Sequence, residues 1–289
     1  MSVLSLILLL ALPIAGQSQA TSPLTSPPPL GQLVDVGGYR VHMYCTGQGS
    51  PTVVVVGAGF SFDWTLVQSN ASKFTKTCTY DVSGTAWSDP GPVFTCPERV
   101  NEVHKLLTNA KIDGPYVLVG LWVGALVARL YASLYPIEVA GMVIVDHAFI
   151  EVGNEPSPSF AGLDSLPVLI HQTPIILTVE DTSDFHKLPE PIQKLHRWAE
   201  SLKPVLPTVE TARDCLRQLK GATLGNTPLV VVSTGNNLPN YKKLQTELLS
   251  LSNRSQQLVA DSSFHSVEID QPEVVVDAIR QVTEMVARH

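Results

Sequence analysis

The chain has 289 residues, of which 44% are hydrophobic and 16% charged. So low a charged share excludes a disordered polyelectrolyte, which cannot bury enough apolar surface to fold. Nineteen Lys and Arg against 26 Asp and Glu leave a net charge of −7 with no basic cluster, which excludes a nucleic-acid-binding footprint.

Val3 to Ala15, VLSLILLLALPIA, is apolar but shorter than the ~20 residues a membrane-spanning helix needs. Ser18-Gln19-Ala20 closes it with small residues, so residues 1–20 read as a secretory signal peptide and the protein as exported. No Lys or Arg precedes the run; the alternative is an uncleaved anchor, the one way in which this sequence would engage a membrane. Residues 21–32 form a Pro-rich extended linker, and a single domain is expected over 33–289.

Within that domain, Leu33 to Tyr44 predicts two short strands around the Gly37-Gly38 turn. Thr52 to Val56, TVVVV, is a continuous apolar run suited to a strand buried on both faces. Further strands are expected at Thr77–Val82, Tyr116–Val119, Gly141–Val145, Pro228–Val232 and Gln257–Ala260. Helices are expected at Pro97–Ala110, Val123–Tyr135, Asn240–Leu251 and Pro272–Ala287. The alternation predicts an α/β fold, a mostly parallel doubly wound sheet covered on both sides. Residues 150–226 break the rhythm with a Pro cluster and short helical patches, and read as a lid over the carboxyl ends of the strands.

Cys45, Cys78, Cys96 and Cys215 lack metal-ligand spacing. After export an even count suggests disulfides, Cys45 with Cys78 on neighbouring strands and Cys96 with Cys215; the alternative is four buried thiols. Asn70-Ala71-Ser72 and Asn253-Arg254-Ser255 fit the glycosylation pattern.

The most informative stretch is Tyr116 to Tyr135, where a strand runs into a helix through Gly120-Leu121-Trp122-Val123-Gly124. It resembles the G-x-S-x-G nucleophile elbow of α/β-hydrolases. Four other stretches resemble the same superfamily of esterases, lipases and epoxide hydrolases. They are Gly57-Ala58-Gly59-Phe60 at the oxyanion loop, Tyr80–Gly84 with Trp87–Gly91, Val145-Asp146, and Ser263-Phe264-His265 before Pro272-Glu273. The resemblance implies His265 as catalytic base, Asp146 as its acid, and an oxyanion hole from Val123 with Gly59 or Phe60. It also puts Trp122 where the family carries its nucleophile, and an indole cannot form an acyl-enzyme. Leu121 and Phe264 replace the usual His and Gly beside the site, making it apolar and substrate-binding in character. Gly221-Ala222-Thr223-Leu224-Gly225 has the motif's spacing but neither follows a strand nor opens a helix.

Two functions compete. The first is an exported hydrolase-fold protein that has lost its nucleophile and binds a small apolar molecule. The second is a hydrolase or lyase in which His265 and Asp146 activate water against an ester, lactone or epoxide. Neither reading requires a metal or an organic cofactor.

Overall fold

A computed structural model describes residues 26–57, 59–92, 95–145, 184–204, 209–235, 239–263 and 266–288. The expected signal peptide, Asp146, Phe264, His265 and much of the expected lid lie outside the described residues.

Among the described residues eight strands form one sheet in the order β1-β2-β4-β3-β5-β6-β7-β8. They are β1 Gln32–Asp35, β2 Arg40–Thr46, β3 Thr52–Val56, β4 Thr77–Tyr80, β5 Tyr116–Leu121, β6 Val139–Val145, β7 Leu229–Thr234 and β8 Ser255–Ala260. The β1–β2 hairpin joins antiparallel to β4, and the rest of the sheet is parallel.

The apolar runs form strands because each has two core faces to fill. Val54, Val56, Leu118, Met142, Ile144 and Val231 enter one apolar cluster; Val53, Val55, Val117, Val143, Val145 and Val230 enter another. This period-2 division leaves no polar face on the central strands. Helices α2 (Cys96–Asn109), α3 (Val123–Leu134) and α5 (Val209–Gln218) cover the first face. Helices α1 (Thr65–Ala71) and α8 (Pro272–Ala287) cover the second. Helix α6 (Pro239–Leu248) lies between β7 and β8, and α7 (Val267–Asp270) precedes α8.

The described part of residues 150–226 contains two full helices, longer than the short patches expected. These are α4 (Glu190–Ser201) and α5. In α4, Ile192, Leu195 and Ala199 recur at helical spacing on the face turned to the domain, and Trp198 is buried with them. That stripe packs on Phe60, Phe62 and Trp87. Residues 27–31 of the expected linker also dock on the domain: Trp87 Nε1 donates to the Pro27 carbonyl at 2.8 Å, and the Gly31 N–H donates to His42 Nε2 at 2.9 Å.

Both anticipated disulfides form. Cys45 and Cys78 are cross-strand partners in the β2–β4 register, and Cys96 at the start of α2 bonds Cys215 on α5. Asp214, beside Cys215, accepts the Cys96 N–H at 2.7 Å, so a carboxylate satisfies a donor at the amino end of α2.

Candidate active site

The site is set by the carboxyl ends of β3 and β5, which pair from Thr52↔Tyr116 to Val56↔Gly120. The chain leaves β3 toward β4 on one side, while β5 lies on the other, so the crevice sits where the winding reverses. After β5 the backbone turns sharply into α3, with Trp122 at φ 55° and ψ −120°. A non-glycine residue is rare in that region, and holding one there costs about 1–3 kcal/mol unless its surroundings enforce it.

The surroundings do enforce it. A Cβ on Gly120 would lie 2.4 Å from the Ala125 Cα, and one on Gly124 would lie 2.1 Å from the Val56 carbonyl oxygen. The helix therefore begins in direct backbone contact with β3 and β5, and the turn between them has no room to relax. The half-buried Trp122 packs beside the α2–α3 core, whereas Leu121 packs against the opposite cluster, so the two side chains diverge from the elbow. At the amino end of α3 the Ala125 N–H donates to the Trp122 carbonyl at 3.1 Å, and the Val123 N–H stands at the elbow end.

Beside the elbow, after β3, Gly59 to Trp64 forms the second wall. Its backbone is held by two buried carboxylates, each backed by a histidine. Asp81 Oδ1 accepts the Ser61 N–H at 2.7 Å, and its Oδ2 lies 2.8 Å from His42 Nδ1. Because His42 Nε2 accepts from Gly31, Nδ1 is the donor in that pair. Asp63 Oδ2 accepts the Phe60 N–H at 3.4 Å, and its Oδ1 lies 2.8 Å from His196 Nδ1 on α4. The Phe60 amide is thus engaged by Asp63 in this conformation.

His196 sits with Asp63 on one side and Glu200 Oε1 at 3.1 Å from Nε2 on the other, off the hydrogen-bond axis. Burial pushes its pKa down, but the Asp63 and Glu200 carboxylates outweigh burial, and the net shift is upward. The two carboxylates stand at opposite ring nitrogens and do not converge on a point; among the described residues no cluster is arranged to hold a metal ion.

The stretch after β4 serves as scaffold. Ser88 Oγ donates to the Asp81 carbonyl at 2.6 Å and accepts the His42 N–H at 2.9 Å. Asp89 binds Arg40 through its side chain at 2.9 and 3.1 Å and through its backbone N–H. Ser83 accepts from Arg99 at 2.9 Å. None of these serines is placed as a replacement nucleophile, and residues 221–225 form a loop before β7, at the far end of the sheet from the elbow.

The structure therefore sets Trp122 and Val123 after the carboxyl end of β5, and Gly59 and Phe60 after the carboxyl end of the adjacent β3. Asp146 and His265 lie outside the described residues, although their neighbours are fixed nearby. Val145 pairs with Leu121 across β5–β6, and Ser263 and Ser266 on either side of the expected base are buried. Sequence reasoning placed Asp81 in a stretch resembling the family without giving it a role, and missed Asp63, His42 and His196. One signal pointed to His196: it falls on the apolar stripe of α4, beside Leu195 and one turn from Ile192 and Ala199, where a polar residue requires a partner.

No family model matches the chain. It is 24% identical over 257 residues to the uncharacterized protein YqjL of Bacillus subtilis, spanning 86% of this chain and 89% of that protein. A thermophilic esterase from Thermogutta terrifontis superposes with a TM-score of 0.64 at 19% identity, covering 86% of this chain and 94% of the esterase. The epoxide hydrolase VrEH1 from Vigna radiata superposes with a TM-score of 0.66 at 14% identity, covering 89% and 98%. The fold is that of the α/β-hydrolases, and at these identities the likeness defines the fold alone.

Proposed function

We propose that this is an exported hydrolase-fold protein that does not act as an ordinary serine esterase and that holds a small apolar molecule at its elbow. The observation that carries this is Trp122 itself. It occupies the strained central position of a strand–turn–helix elbow whose two glycines are still in backbone contact with their neighbours. Active serine hydrolases of this fold present a serine hydroxyl there. Indole offers neither a hydroxyl nor a thiol, and its bulk occupies space that an acyl group would need. The two disulfides are compatible with an oxidising compartment and support export together with the apolar residues 3–15.

A second reading is favoured by the strain at Trp122. The packing that enforces φ 55° there also keeps the Val123 N–H at the amino end of α3, where an oxyanion donor would stand. In that reading His265, oriented by Asp146, activates water against an ester, lactone or epoxide.

A fluorophosphonate probe, which needs an activated serine, is expected to leave the mature protein unlabelled; strong labelling would refute the proposal. Trp122→Ser is expected to gain a burst of nitrophenol release from short nitrophenyl esters, because the elbow geometry is already in place. The water-attack reading predicts turnover by the wild-type protein that His265→Ala abolishes. No wild-type turnover across esters, lactones and epoxides would exclude it.

A further inference from the structure

The Asp63–His196–Glu200 array lies outside the elbow, yet it joins α4, which packs on Phe60, Phe62 and Trp87, to the loop that carries Phe60 and Asp63. We infer that His196 is a positioning residue, a proton-dependent clamp that fixes α4 and the Gly59–Trp64 loop together through Asp63 and Glu200.

The argument begins with the two ring nitrogens. A neutral imidazole has one N–H, and here it would serve Asp63 through Nδ1 at 2.8 Å. Nε2 would then turn its lone pair toward the Glu200 carboxylate, 3.1 Å away. Only the imidazolium places positive charge beside both carboxylates, bonded to Asp63 through Nδ1 and 3.1 Å from Glu200 at Nε2. The ring is 1% exposed and boxed edge-on by Phe60, Phe62 and Phe185, so Asp63 and Glu200 are the carboxylates that set its charge state. Two carboxylates on one buried cation overcome the burial that opposes its charge, consistent with the upward shift described above.

The same array reaches the wall of the site. Asp63 uses its second oxygen to hold the Phe60 N–H, and a Cβ built on Gly59 would lie 3.3 Å from that oxygen. Where Asp63 sits therefore determines where the loop amides point, and His196 determines where Asp63 sits.

The neighbouring charges have other partners. The turn at Phe185–Lys187 brings His186 and Lys187; Lys187 Nζ is bound to Asp184 Oδ2 and to the Asp270 carbonyl, each at 2.7 Å. On α4, Lys194 pairs with Glu190, and the Arg197 guanidinium lies 5.4 Å over the Phe185 ring. From α7 come Glu268, which is buried, and Asp270, which accepts from Ser263 and the Asp184 N–H. Asp81 faces His42 and Ser61.

The sign follows from linkage. His196 has its pKa raised on folding, so its contribution is complete below the ordinary histidine value of about 6.5 and is lost as pH rises through the higher folded value. On deprotonation the proton passes to solvent, the Asp63 bond survives, and Glu200, 27% exposed, turns away toward water. The clamp is tight in acid and slack in alkali.

The test reads titration and loop protection rather than turnover, so it stands or falls separately from the role assigned to Trp122. Histidine-resolved NMR on the full mature chain is expected to place the His196 titration above about 6.5, and Glu200→Gln is expected to lower it. Protection of the Phe60 amide against hydrogen exchange, corrected for the intrinsic rate, is expected to fall about tenfold across that titration. In His196→Gln, which keeps a neutral donor, the deficit in Tm against wild type should be largest in acid and close in alkali. A titration at or below the ordinary value, no change in Glu200→Gln, or a pH-independent Tm deficit would overturn the inference. If His196→Gln fails to fold, the Glu200→Gln titration decides, because that side chain is partly exposed and its loss leaves the Asp63 bond in place.

Discussion

At the scale of single residues the elbow is a balance between strain and close packing. Trp122 holds an unfavourable backbone conformation because Gly120 and Gly124 let three backbone segments meet at distances no Cβ permits. Gly124→Ala would set a methyl group 2.1 Å from the Val56 carbonyl, and neither β3 nor α3 has a flexible side chain there to give way. Overpacking of this kind costs about 1–3 kcal/mol, and a backbone obstacle places this variant at or beyond the upper end. Urea unfolding of Gly124→Ala is expected to show that loss. By contrast, Trp122→Gly should recover part of the strain while losing the indole's packing, so its net change should be smaller than that of Gly124→Ala.

At the scale of elements, the chain before the expected base is tied to the inserted segment by Asp270. Asp270 at the end of α7 accepts from Ser263 Oγ at 2.8 Å and from the Asp184 N–H at 2.8 Å, so it links the chain before position 264 to the return of the inserted segment. Phe185, Leu188 and Ile269 pack beneath this junction. Hydrogen bonds to a charged acceptor contribute about 1.5–3 kcal/mol, so Asp270→Ala is expected to lower unfolding free energy by about that amount, read by denaturant titration. It should also raise the rate of proteolytic nicking near Asp184 more than Glu190→Ala does, since Glu190 pairs with Lys194 on the surface. The elements that were legible in the sequence are those whose signal is local. The run at Thr52–Val56 forms β3 with the expected bounds, and Val123–Tyr135 forms α3 to within one residue, because continuous apolar runs and glycine-flanked turns carry their own instruction. The helices α4 and α5 were obscured by the prolines around them, which mark where each helix starts or stops rather than the absence of helix. The two histidine–aspartate pairs were illegible for a different reason: their partners lie 133 and 39 residues apart, and only the folded sheet brings them together.

At the scale of the molecule, the two disulfides constrain the chain to different degrees. Cys45–Cys78 joins strands already paired in register, across a separation of 33 residues. Cys96–Cys215 spans 119 residues and connects α2 to α5, where the inserted segment returns to the core. If the bonds act mainly by restricting the unfolded chain, stabilisation grows as 1.5RT times the logarithm of loop length. The ratio of 119 to 33 then makes the second bond worth about 1 kcal/mol more than the first. Replacing each pair by alanine separately should therefore leave Cys96→Ala/Cys215→Ala the less stable of the two by about that margin in urea unfolding. Asp214 would remain to cap α2 in that variant, so any further loss would come from α5 releasing its contacts with α2 and α3. If Cys45→Ala/Cys78→Ala were instead the weaker protein, chain restriction would not be the dominant effect. The buried Cys78 would then be contributing mainly by filling the core between β2 and α2.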